Sequence, residues 1–302
     1  MDWGSLCYRI VNLLCFFIAQ VAKSSQASYL IGELTEGANQ VIDARLARET
    51  NKLELIRNPD FNDEHAYPVL SDQTGYIQLI NFEMMFQELA EKDVTVLLQI
   101  NEGDFIVQGE QIGKVINRQE SKEDADVEDK EIMTIINSNV AIGNERNDIY
   151  DYRFALQKVQ EIALRALSAS VSDPYTGIEC IYALGNLFQK LAVWNSGYYI
   201  MKQDDRPITL YYKSNSLNED LILFFHSIVK LGCDDFLVLN ALFDAYKDIA
   251  AVSSEESLDA VVEIADYTFA QAKQEFKHDT DIKIIENKYK NFCNFVERQK
   301  NK

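Results

Sequence analysis

The sequence predicts an α+β protein that is mostly helical, and three observations carry that prediction. Only 4 prolines and 12 glycines punctuate 302 residues, which favours long helices over a many-stranded sandwich. Apolar residues recur at helical spacing through most of the chain, but from Tyr67 a shorter region alternates with a period of two. Hydrophobic residues make up 47% and charged residues 25%, an ordinary globular composition. The expected organisation is an apolar N-terminal segment and stalk helix over 1–56, then a small β module with an inserted helix and an acidic loop over 57–143. A helical bundle with a β-hairpin insertion follows over 144–302.

Charge removes several function classes. With 48 acidic against 29 basic residues the formal net charge is −19, which opposes nucleic acid, whose binding runs on Lys and Arg displacing counterions. The same charge opposes adsorption to anionic lipid, so any membrane contact must be apolar and local. The five cysteines, Cys7, Cys15, Cys180, Cys233 and Cys293, are odd in number and contain no CxxC pair, which fits reduced thiols better than a disulfide framework or a thiolate zinc site.

The N-terminal "CYRIVNLLCFFIAQVAK" holds an apolar stretch from Ile10 to Ala22. As a helix it covers roughly 20 Å, short of the roughly 30 Å of a bilayer core. A signal peptide is the rival reading, but no small-x-small cleavage pattern closes the run and Asp2 weakens its basic end. Next, Leu30, Ile31, Leu34, Ala38, Val41, Ile42 and Leu46 form one apolar stripe on a helix. That stripe suits a stalk rising from a membrane, or a contact between two copies of the chain. The alternative is a helix packed on the protein's own core.

The β module begins with "YPVLSDQTGYIQLI", alternating around Gly75 and Tyr76, and continues as strands on either side of "GDFIVQGEQ". Between them "NFEMMFQELAEKD" predicts a helix of about three turns. Gly103 and Gly109 permit positive φ at the turn, and Asp104 is placed to bind backbone amides. The strand, turn and strand resemble half of a barrel-sandwich hybrid, the small β fold of biotinyl and lipoyl carriers and of membrane-fusion adaptors. A carrier needs a lysine on an exposed hairpin tip, whereas the inserted helix occupies that connection and Lys92 lies in no hairpin. No cofactor is expected. Residues 118–131, "RQESKEDADVEDKE", have no turn glycine for a calcium loop and are expected to be solvated.

In the last region Leu156, Val159, Ile162, Ala163, Ala166 and Leu167 predict one helical face, and Ile178, Ile181, Leu184, Leu187 and Leu191 predict its partner. Asp173 is suited to cap the second helix and Pro174 to its first position, giving a helical hairpin with a six-residue connector. "SGYYIMKQDDRPITLYYK" predicts two Tyr-rich strands. Three helices follow, with Gly232 ending the first and Ser254 and Ser257 as capping candidates, and a last one spans about Thr280 to Arg298.

The segment "IGNERNDIYDYRFALQKVQEIALRALSASVSDPYTGIECI" resembles the signature of a bacterial family of predicted membrane proteins, domain of unknown function 2254. "TGYIQLINFEMM", the "GDFI" turn and "FFIAQVAKSSQASYLI" also resemble that family, so the likeness covers nearly the whole chain from residue 16. It implies a fold and a membrane origin, and it brings no reaction with it. The family carries several membrane helices upstream, so this chain resembles its soluble portion with a fragment of the last span, membrane-associated with a cytoplasmic body. The alternative is a wholly cytoplasmic protein. In the family the connector reads Ser-Pro-x-Ile-Asn-Asp-Pro; here Ser172 stands at the Asn position and Gly177 where the family has Ala.

The candidate site is a polar cluster of Arg146, Asp151, Arg165, Ser168, Asp173 and Thr176, with Arg165 and Asp173 pairing across the connector; Asp148 and Arg153 lie close in sequence. These groups can set the angle of the helical hairpin, or grip a carboxylate or phosphate. No metal site is expected, since His65, His226 and His278 lack ligand spacing. A triad of a connector serine with His226 and Asp173 lacks a nucleophile elbow, and no Gly-rich phosphate loop is present. Two function classes remain: a non-catalytic, membrane-associated regulatory or ligand-sensing platform of unknown ligand, or an enzyme built around Arg165 and Asp173.

Overall fold

The computed structural model describes residues 26–50, 54–61, 66–117, 125–193, 196–203 and 206–300. The apolar stretch Ile10–Ala22 and residues 118–124 of the acidic run lie outside the described residues. Nine helices are present among those described, and the protein is a mostly helical α+β structure with mixed sheets.

The first helix, α1 (Ala27–Thr50), carries the stripe read from the sequence. Ile31, Ala38 and Ile42 are buried, and Leu34, Val41 and Leu46 pack half-buried on the same core. Removing each isoleucine from water stabilises the fold by about 1.5–3 kcal/mol. The stalk expectation is therefore overturned: most of the stripe is covered by the protein's own helices.

The β module comprises β1 (Glu54–Ile56), β2 (Tyr67–Leu70), β3 (Gly75–Ile80), α2 (Phe82–Glu88), β4 (Val94–Leu98), β5 (Phe105–Ile106), β6 (Gln111–Asn117), α3 (Ala125–Ser138) and β7 (Val140–Gly143). Asn81 caps α2 by accepting from the Met84 amide at 3.1 Å. Helix α3 corrects the solvated-loop reading of the acidic run. Its Ile132 and Ile136, one turn apart, enter the module's core while charged residues occupy the other faces. Lys92 is held by α3, its Nζ donating to Glu131 at 2.8 Å and Glu128 at 3.4 Å.

The bundle consists of α4 (Tyr152–Leu167), α5 (Pro174–Leu191), α6 (Leu217–Gly232), α7 (Phe236–Val252), α8 (Glu255–Glu275) and α9 (Asp279–Lys300). Helices α4 and α5 form the expected hairpin, and α1 packs on both. Phe188 meets Phe224 and Phe225 edge-on at 5.8 and 5.3 Å, and Phe225 meets Tyr246 at 5.4 Å, a geometry that suits the ring quadrupoles. Ser254 caps α8 through the Ser257 amide.

The strands β8 (Tyr198–Lys202) and β9 (Thr209–Lys213) lie between α5 and α6 in sequence but not in the bundle. They pair with each other, and β9 runs parallel to β4 from Thr95↔Thr209 to Leu98↔Tyr212. The resulting six-stranded sheet has the order β1-β8-β9-β4-β6-β2, beside a three-stranded sheet β5-β3-β7. Tyr199, Ile208, Leu210 and Tyr212 complete the module's core, with Tyr212 stacked on Phe82 at 4.0 Å. The hairpin is thus part of the β module rather than an insertion within the bundle. The architecture supports α+β with mixed sheets and not the finer barrel-sandwich description.

Candidate functional site: a buried charge network and the α4–α5 connector

Helix α4 separates the residues expected to form one cluster. Sixteen residues at 1.5 Å each make it roughly 24 Å long, with Arg146 and Asp151 at its start and Arg165, Ser168, Asp173 and Thr176 at its end.

At the start, Asp151 is 1% exposed and caps α4 through the Phe154 amide at 2.9 Å. Its other oxygen accepts from Arg146 Nε at 2.8 Å and Nη2 at 2.7 Å, while Arg146 Nη1 donates to Gln157 at 2.8 Å. Burial raises the Asp151 carboxyl above its ordinary value, against the pull of the Phe154 amide and Arg146. Asp148 pairs with Lys158 at the surface.

Beside it lies a denser set of contacts. Asp220, in the first turn of α6, is 2% exposed. It accepts from the Tyr152 hydroxyl at 2.5 Å and from Arg153 Nε at 2.6 Å. Arg153 also reaches Glu219 at 3.5 Å. Burial again raises the carboxyl, with Arg153 and Tyr152 opposing the shift. Arg45 of α1 lies over the Tyr152 ring at 5.2 Å and faces buried Glu102 at 3.9 Å. The turn 101–104 of the β module therefore meets α1 through Glu102 and Arg45, and the cap of α4 through Gly103 and Asp151.

Gly103 allows that meeting. It has φ 92°, and a Cβ there would stand 2.2 Å from Asp151 Oδ2, so only a residue without a side chain fits. As expected, Asp104 binds a backbone amide, that of Asn101, at 2.8 Å. The neighbouring turn glycines, Gly75 and Gly109, also have positive φ, and Tyr76 packs edge-on against Phe105 at 5.0 Å.

At the far end of α4 the pairing of Arg165 with Asp173 does not form. Arg165 is exposed, whereas Asp173 turns to its own helix, accepting from the Thr176 amide at 3.2 Å and hydroxyl at 2.6 Å. These bonds to Thr176 hold the Asp173 carboxyl below its ordinary value. The connector closes on α4: the amides of Val171 and Ser172 donate to the Ser168 carbonyl, and that of Asp173 to Ala166. Ser172 has φ 51°, the left-handed region that asparagine tolerates better than serine. The asparagine that the resemblance implies at this position would have a backbone reason.

A cavity of about 420 Å³ opens against the connector, lined by Ser168, Ser172, Asp173, Lys230, Asp235 and Glu275 among others. Arg146, Arg165 and Thr176 are not part of its lining. Ser168 Oγ donates to the Arg165 carbonyl at 2.7 Å and lies 3.1 Å from Ser170 Oγ. His226 instead stacks on Tyr267 at 4.6 Å. No group of three or more His, Cys, Asp or Glu side chains able to hold a metal occurs among the described residues.

Sequence reasoning missed Arg45, Glu102, Tyr152 and Asp220. Glu219 and Asp220 follow the cap Ser216, and acids in a first turn ordinarily favour the helix dipole from a solvated position. The nearest local signal was an acid at a position where the stripe of Leu217, Leu221 and Phe224 turns inward.

Curated relatives include uncharacterised proteins of Mycobacterium bovis and Mycobacterium tuberculosis, each 26% identical over 191 residues. The match covers 63% of this chain and 36% of those proteins, so the chain spans about a third of their length. No solved structure matches. None of the described helices is long and apolar enough to cross a membrane. Residues 6–248 match the family described as a predicted membrane protein, DUF2254, and the chain belongs to that family.

Proposed function

We propose that the chain is a non-catalytic, membrane-associated platform that serves a regulatory or ligand-sensing role, with a cytoplasmic body. The observation that carries this reading is the pairing of the buried charges. Asp151 with Arg146, and Asp220 with Arg153 and Tyr152, have their hydrogen-bonding capacity directed at one another and at a helix cap. Such a network sets geometry between elements. The family description supports the membrane half of the reading. The cavity beside the connector is the place for a small polar ligand.

Cell fractionation tests it. The full chain should pellet with membranes and leave them in detergent, and Asp220→Asn should lower thermal stability without moving the protein out of the pellet. Recovery of the wild-type chain in the supernatant without detergent refutes membrane association.

A further inference from the structure

A second cavity, sharing no lining residue with the one at the connector, opens where the β module meets the starts of α6 and α8. It encloses about 640 Å³, within the roughly 300–1,000 Å³ of small-molecule sites. Backbone contacts fix its frame. On the module side β1 pairs with β8 up to Ile56↔Tyr198, and the Ser214 amide donates to the Gly197 carbonyl at 2.8 Å. A Cβ at Gly197 would stand 2.4 Å from the Ile56 carbonyl oxygen, so only glycine lets this wall close. On the bundle side stand Ser216, the cap of α6, and Ser254, the cap of α8, which lines an adjoining pocket of about 290 Å³.

Charge is divided between the two sides. The β module contributes Arg57, directly after β1, and Lys213, the last residue of β9. The bundle contributes Glu255 and Glu256 from the first turn of α8, and Asp259, which Lys300 of the bundle itself holds at 2.7 Å. Neither Arg57 nor Lys213 pairs with Glu255 or Glu256; the ion contact of Lys213 among the described residues is with Glu219, at 3.9 Å. The dipole of α8 accounts for acids in its first turn, but not for the guanidinium that shares both pockets with them unpaired. Opposite charges thus border one space without closing on each other. A guanidinium grips a carboxylate with two parallel N–H donors, and Ser216, at the start of α6, adds a hydroxyl three residues from Lys213. Glu255 and Glu256 match an ammonium. A purely anionic ligand would meet those two carboxylates and a purely cationic one the two basic groups, whereas a molecule with both charges is matched at each end.

We propose that this cavity binds a small zwitterion with one amine and one carboxylate, a free amino acid or a dipeptide, its carboxylate on Arg57 and Lys213 and its amine on Glu255 and Glu256. Binding there ties the β module to the bundle. The site is independent of the ligand place at the connector and of the membrane association proposed above.

The test heats the full chain with each of the twenty L-amino acids, or with glycylglycine, at about 10 mM; at least one should raise the melting midpoint by about 2 °C or more. Titration calorimetry with that compound should show binding weakened at least about tenfold by Arg57→Ala, and likewise by Glu255→Gln together with Glu256→Gln. Binding should be lost when the carboxylate of the compound is amidated or its amine acetylated. All three side chains are exposed, so the variants should keep the circular dichroism spectrum of the wild type. A shift with amino acids alone, or with glycylglycine alone, supports the proposal and tells which spacing of the two charges the cavity takes. No shift with any of these probes overturns it. So does binding that the variants leave unchanged, or binding that needs only one of the two charges.

Discussion

Replacing Arg153 with methionine tests the buried junction most directly. Asp220 is 2% exposed and would keep the Tyr152 hydroxyl as its one donor from this network. Breaking a buried ion pair from one side costs about 3–5 kcal/mol; the Arg153 side chain is 21% exposed, so a reduced cost of about 2–3 kcal/mol is expected at pH 8. The pH dependence carries the sign. Burial already raises the Asp220 carboxyl in the folded protein, so its protonated form favours folding. The stability it contributes is complete below its unfolded value and is lost as pH rises through the folded one. Without the guanidinium the folded value rises further and that window extends upward. Urea unfolding followed by circular dichroism should therefore show the variant's deficit shrinking by at least about 1 kcal/mol between pH 8 and pH 5. A deficit below about 0.5 kcal/mol at pH 8, or one unchanged or growing on acidification, refutes the assignment of Asp220 as a buried charge held by Arg153.

Three further changes probe the same structure. Gly103→Ala should cost about 2–4 kcal/mol in urea unfolding, since it meets both a positive φ and the Asp151 carboxylate; a loss under about 1 kcal/mol would mean that the turn moves freely. Ser172→Asn should raise stability by up to about 1 kcal/mol, and a lowered melting temperature would contradict the backbone explanation of that position. Asp173→Ala should cost about 1 kcal/mol through the lost cap while Arg165→Ala stays within about 0.5 kcal/mol; equal losses would restore a pairing between them.

The helical hairpin was legible because its signals are local. A cap, a proline at the first position and an apolar stripe act within one or two turns, and Asp173, Pro174 and the faces of α4 and α5 appear where those signals place them. The acidic run was read as a loop because charge dominates its composition, whereas its residues 125–131 start a helix that is anchored further on by Ile132 and Ile136, which need a facing core. The candidate cluster was half legible. Arg146 and Asp151 are five residues apart and meet within one turn, whereas Arg165 and Asp173 flank a connector whose hydrogen bonds draw Asp173 back onto its own helix.

By itself the sequence determined the helical class, the strand-bearing region, the acidic charge that opposes phosphate backbones, and the family to which the chain belongs. These follow from periodicity, composition and short motifs, which act over a few residues or over the whole chain at once. Only the tertiary structure decided that β9 runs beside β4, that most of the stripe of α1 packs on the protein's own core, and that Asp220 pairs with Tyr152 and Arg153. The physical reason is separation. A strand's pattern says that it needs a neighbour and an acid's position says that it needs a partner, but which one it finds depends on residues more than sixty positions away.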